Sequence, residues 1–197
     1  MLPEDGLRQV LGARERAEAA LSDSQDRYRD IFNAVADVMV LRDENFRVVD
    51  VNAAFVEQTG FSREEALGEE RVLGGTTEPE ETIRERHLRV LAGEPVVVET
   101  ERVRKDGSRV AVELRCIPFR HRGRPHVLYI LRDISARKRA EDALRASEEQ
   151  YRSIFNAAQD WMVLRDADFR VVDINAAYLA VIGCTREEVL GRDKVLG

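Results

Sequence analysis

Residues 28–74 read YRDIFNAVADVMVLRDENFRVVDVNAAFVEQTGFSREEALGEERVLG, and residues 151–197 read YRSIFNAAQDWMVLRDADFRVVDINAAYLAVIGCTREEVLGRDKVLG. The offset is 123 residues without a gap, and 29 of the 47 aligned positions are identical. Solenoid repeats run to about 20–50 residues, so a period this long means whole domains in series. The first copy continues to about Ser135, whereas the second stops at Gly197. Four divisions follow: an N-terminal helix over 1–27, a complete module over 28–134, a linker helix over 135–150, and the first part of a second module over 151–197.

Inside the first copy, Val38–Arg42 and Arg47–Val51 read as short strands joined by a turn. Asn52 suits a helix N-cap, because its side-chain oxygen accepts an orphan backbone N–H, and Gly60 ends that helix. Ser62 to Glu65 is a capping box, repeated at Thr185 to Glu188. Thr77 to Glu80 reads as a third, opening a helix to about Ala92 that Gly93 and Pro95 stop. Strands over Val96–Arg104 and Ser108–Phe119 flank Lys105-Asp106-Gly107, a hairpin turn signal. The last strand, Val127–Arg132, is apolar on both faces, as a covered central strand would be. Strands segregated from helices in this order predict an α+β domain: a five-stranded antiparallel sheet with short helices on one face.

Alternation assigns an inward strand set of Met39, Leu41, Val49, Val51, Val112, Leu114 and Cys116, with His87 and Leu91 facing them from the long helix. These residues either line a ligand pocket or form a closed core.

Working outward, both copies are preceded by charged helical sequence. Leu7, Val10, Arg14, Ala17, Leu21, Ser24, Tyr28 and Ile31 fall three and four apart, as do Arg137, Ala140, Leu144, Ser147, Tyr151 and Ile154 before the second copy. Such a seam fits a parallel dimeric coiled coil or a solvated helix with one lightly apolar face. A homodimer through the terminal helices is the expectation.

Composition narrows the class. The net charge is −6 and basic residues are dispersed among acidic ones, without the clustered basic surface that nucleic-acid binding needs. No apolar run approaches the ~18 residues of a membrane span, and Met1–Gly6 lacks the basic and apolar regions of a signal peptide. Two distant cysteines, Cys116 and Cys184, suit a reducing cytoplasm.

Four stretches, in this order, carry a family resemblance. They are Val48 to Ala54, Thr59 to Gly68, Arg104 to Ser108, and Arg132-Asp133-Ile134-Ser135. Together they resemble the PAS domain of bacterial sensor proteins, with Ser135 where the family's Asp-Ile-Thr exit motif has threonine. The resemblance implies a sheet cupping a small pocket, with Asp133, Ile134 and Ser135 as the exit through which the last strand moves the following helix. It also bears on cofactors, whose identity stays open. Flavin-adduct members carry a cysteine after the Leu-Gly that follows the capping-box helix; Glu69 to Val72 and Arg192 to Lys194 have none, which argues against that chemistry. Haem-binding members place a histidine near the position of Thr82; His87 lies more than a turn later and reads as a core or pocket-edge histidine, which argues against haem. Cys116, His121 and His126 lack an evident fourth partner for zinc.

The function expected is a sensory input and relay module, with a possible small-molecule ligand, acting on a downstream effector domain outside these residues. That output is read as a histidine kinase, with a cyclic-dinucleotide synthase or hydrolase, or a ligand-free dimerisation module, as alternatives. No nucleophile–base pair or converging carboxylates suggest an enzyme in its own right. The partial second copy, with two strands and few helices, is expected to be poorly ordered, swapped or propped by a neighbour.

Overall fold

The computed structural model describes Ala19 and residues 22–71, 73–121 and 123–193. The predicted seam positions Leu7, Val10, Arg14, Ala17 and Leu21 lie outside the described residues. The chain divides into two units, 1–136 and 137–197.

The first unit opens with helix α1 over 22–34. Strands β1 (Val38–Asp43) and β2 (Val48–Val51) follow, then α2 (Ala53–Thr59), α3 (Arg63–Ala66) and α4 (Glu80–Leu91), then β3 (Val96–Val103), β4 (Arg109–His121) and β5 (Arg124–Asp133). The strands form one antiparallel sheet in the order β2-β1-β5-β4-β3, which puts the doubly apolar β5 at its centre. This is the α+β, five-stranded architecture with short helices that the element order predicts.

Asn52 organises the corner between β2 and α2. Its Oδ1 accepts from the backbone N–H of Phe55 (3.0 Å) and of Met39 (2.9 Å), while its Nδ2 donates to the carbonyls of Val35 and Asp37. A fully buried amide with all four bonds made locks helix start to strand start, and losing it would leave backbone groups unpaired. The capping box at Ser62 and Glu65 is present. The one proposed at Thr77 and Glu80 is not: α4 starts after Pro79, which has no side-chain acceptor to cap it, and Glu80 pairs with Arg84 instead.

The sheet is covered on both faces. One face, with α2 to α4, encloses a core that includes Val38, Val40, Phe46, Val51, Leu114 and Tyr129. On the other, Tyr28 and Phe32 of α1 pack with Met39, Leu41, Val49, Ile117, Phe119, Leu128 and Ile130.

After β5, Ile134 separates the strand from α5 (Ser135–Ala157). Its 23 residues span about 35 Å at the helical rise, unbroken beyond the expected end at 150. The second unit continues with β6 (Val163–Arg165), β7 (Val171–Ile174), α6 (Ala176–Ile182) and α7 (Arg186–Val189). Its two strands pair antiparallel over a small cluster of Val171, Ile174 and Val189.

Candidate functional site

Between the sheet and α2 to α4 lies a cavity of about 100 Å³. Val38 and Val40 of β1, Phe55 of α2, Ile83 of α4, and Val110, Val112 and Leu114 of β4 form much of its apolar wall. Phe46 enters from the β1–β2 turn. There Asp43 Oδ1 accepts from the N–H groups of Asn45 and Arg47, closing a tight turn that holds Phe46 at φ 72. This left-handed conformation disfavours a bulky side chain. It aims the ring inward, edge-on to His87 and Tyr129.

Polar groups interrupt the wall. Arg42, Arg102, Arg104, Gln58, Thr59, Tyr129 and Asp133 all reach it. Arg42 lies 4.0 Å over the Phe46 ring and donates to the backbone carbonyls of Phe46, Glu69 and Arg71. Burial pushes this guanidinium down to about 10. Glu78 accepts from Arg86, from Arg102 at 3.2 Å and from Thr100 at 3.1 Å. Burial raises the Glu78 carboxyl, but the hydrogen bond and charge of Arg86, with Thr100 and Arg102, outweigh it and hold the group below its ordinary value.

His87 sits beside the cavity with both ring nitrogens engaged, Nδ1 with Tyr129 Oη and Nε2 with the Asp43 carbonyl, each at 2.8 Å. Burial lowers its pKa, so the ring is neutral near pH 7. The carbonyl can only accept, so Nε2 carries the proton and Nδ1 accepts from the tyrosine hydroxyl. Cys116 is buried and its thiol is pushed up to about 12 by desolvation, which keeps it protonated. Among the described residues no group of three or more potential metal ligands converges.

The structure redistributes the predicted pocket set. Val112 and Leu114 line the cavity. Val51, Cys116 and Leu91 belong to the surrounding core without lining it, and His87 stands in contact with its Tyr129 wall. Met39, Leu41 and Val49 face the opposite side of the sheet. In β1 both alternate sets are apolar, so alternation separates the faces without saying which is inward. Packing of Tyr28 and Phe32 on the Met39 and Leu41 side decides it. Arg42 and Phe46 were missed for the same reason. Their signal was an arginine at strand spacing from Val38 and Val40, followed four residues later by an aromatic, and repeated as Arg165 and Phe169.

The exit residues adjoin the cavity. Asp133 lines it, pairs with Arg104 at 3.4 Å, and accepts the Ser135 N–H on Oδ1 at 2.8 Å where α5 begins. Ile134 is buried and donates its N–H to the Ala111 carbonyl of β4.

Comparison with known proteins agrees with this geometry. One PAS domain family model matches residues 36–136 and a second matches 149–196. Sporulation kinase E of Bacillus subtilis is 42% identical over 62 residues, which is 32% of this chain and 8% of the kinase. A methyl sulfide methyltransferase-associated sensor of Methanosarcina acetivorans is 27% identical over 145 residues, 73% of this chain and 14% of the sensor. The chain therefore spans a small part of these relatives. The crystal structure of the PAS domain of an HTR-like protein from Haloarcula marismortui matches with a TM-score of 0.55 at 25% identity, covering 61% of this chain and 99% of that domain.

Proposed function

We propose a ligand-responsive relay, and the premise is plain: this chain belongs to the PAS domain family and is a sensory module of a signalling protein. In this reading the complete module, 28–134, receives the stimulus and α5 carries it toward an effector domain, a histidine kinase. The partial identity with sporulation kinase E supports that output over a cyclic-dinucleotide enzyme. These residues do no chemistry of their own. Two copies associate along the terminal helices. The exposure of Leu144 and Ile154, apolar positions of the α5 seam, supports that pairing. Among the described residues no helix is long and apolar enough to cross a membrane, and a cytoplasmic setting suits two free thiols.

One observation carries the relay. The carboxylate of Asp133 belongs at once to the cavity wall and to the first turn of α5. A change in the cavity that moves Leu131 or Asp133 changes the capping of a helix 23 residues long. Such a device works if α5 has two positions that the cavity biases unequally.

Overpacking the cavity with Val112→Phe tests it, with Val97→Phe on an exposed strand position as the control. Hydrogen exchange in the first turn of α5 should change with the first substitution and not the second. Identical exchange in both variants would remove the relay.

A further inference from the structure

The charge around the cavity identifies the chemistry it would take. This inference rests on reading the cavity as a ligand site. Arg42 and Arg102 reach its wall and Arg86 stands behind them, yet a single carboxylate, Glu78, serves both Arg86 and Arg102. Arg42 donates to backbone carbonyls, and among the described residues no carboxylate is bonded to it. The nearby Asp43 carboxylate accepts from its own turn. At the far end Arg104 and Asp133 balance each other.

A purely structural role explains part of this. Arg165 makes the same kind of staple in the second copy, donating to the carbonyls of Phe169 and Asp193. Arg165 is exposed, however, so its charge stays hydrated, whereas Arg42 is 6% exposed. The staple accounts for the hydrogen bonds of Arg42 and leaves a buried cation at the cavity wall that is held by carbonyl oxygens and the nearby Asp43 charge, with no carboxylate bonded to it. A buried guanidinium without a bonded carboxylate is only partly compensated, and an anion entering beside it would supply the missing partner.

We infer that the cavity takes a small monocarboxylate with a branched apolar body, its carboxylate on the side of Arg42 and Arg102 and its body against Val112 and Leu114. Size sets the class. A dry cavity of about 150 Å³ holds benzene, so a smaller one holds roughly four to six heavy atoms.

Isobutyrate and its neutral isostere isobutyramide are the probes, titrated into the full 197-residue chain and followed by amide NMR shifts. Isobutyrate should shift cavity-wall amides of β4 and β5 and bind about tenfold or more tightly than the amide. Arg42→Met should abolish that preference. Arg42→Lys, which keeps the charge in the same place, should retain part of it and guards against a misfolded methionine variant. Equal binding of acid and amide by the unaltered protein would overturn the anion preference and leave the cavity as a ligand site. A preference unchanged in Arg42→Met and Arg42→Lys would remove Arg42 from it. No response to either probe would overturn the inference and the ligand reading together for molecules of this size.

Discussion

The two copies of the repeat share 29 of 47 residues, and they agree in some positions and part company in others. Asn52 and Asn175 are both fully buried, and each accepts two backbone N–H groups and donates to two carbonyls in the same pattern. Phe32 and Phe155, Val48 and Val171, and Val51 and Ile174 are buried in both. Leu41 is 1% exposed while Leu164 is 44% exposed, and Phe46 is 3% exposed while Phe169 is 73% exposed. The positions that agree are covered by neighbours within the 47 residues. Those that differ are covered, in the first copy, by β4, β5 and α4. The residues of the second copy comprise counterparts of α1, β1, β2, α2 and α3. Local sequence therefore forms the hairpin, its strained turn and its caps, but the distant strands convert that hairpin into a core and a cavity.

The largest test of this contrast is hydrogen exchange. Amides of β4 and β5 should exchange about a thousandfold or more slowly than those of β6 and β7, a difference of ~4 kcal/mol in opening free energy. Equal protection would mean that the second copy is covered by something beyond its own residues, such as a swapped strand.

Paired truncation of the turn aromatics sharpens the point. Phe46→Ala should cost about 3 kcal/mol in denaturant unfolding of the first unit, the usual loss for a buried aromatic. Phe169→Ala should change local stability by less than about 0.5 kcal/mol, because an exposed ring has little burial to lose. The turn is the same, with Phe169 at φ 61, so any larger effect at Phe169 would reveal a contact outside the described residues.

The smallest effect is a pH dependence confined to the first copy, which holds all three histidines. Burial lowers the pKa of His87 below its ordinary 6.5, so the unfolded chain takes up the proton first. The contribution of His87 is whole above about pH 6.5 and is lost as pH falls toward its folded pKa, at up to about 1.4 kcal/mol per pH unit. Unfolding of the first unit between pH 7 and 5.5 should show this slope, and His87→Gln should flatten it. A slope that survives the substitution would assign the effect to other groups.

Much of the fold was readable in one dimension. The repeat is visible by direct alignment, and the N-cap at Asn52, the capping box at Ser62 and the Asp106-Gly107 hairpin are local features, each set by residues within a few positions of one another. The capping box at Thr77 is absent because the helix begins two residues later, after Pro79, and Glu80 pairs with Arg84 rather than reaching back. The cavity wall was half legible. Alternation in β4 pointed to Val112 and Leu114, since its other face is charged. In β1, with apolar residues on both faces, it pointed to Met39 and Leu41 where Val38, Val40 and Arg42 stand.

By itself the sequence determined the period of the chain through plain identity between its copies, and the order of the elements, most of their caps and turns, and the passage from β5 through Ile134 into α5, because these rest on short-range sterics and backbone hydrogen bonding. The tertiary structure alone decided which side of β1 faces the cavity, how one carboxylate is shared between two guanidiniums, and that Arg42 loses its water while Arg165 keeps it. Those outcomes depend on burial by strands and helices some forty to ninety residues away, and burial is a property of the packed chain rather than of any stretch of it.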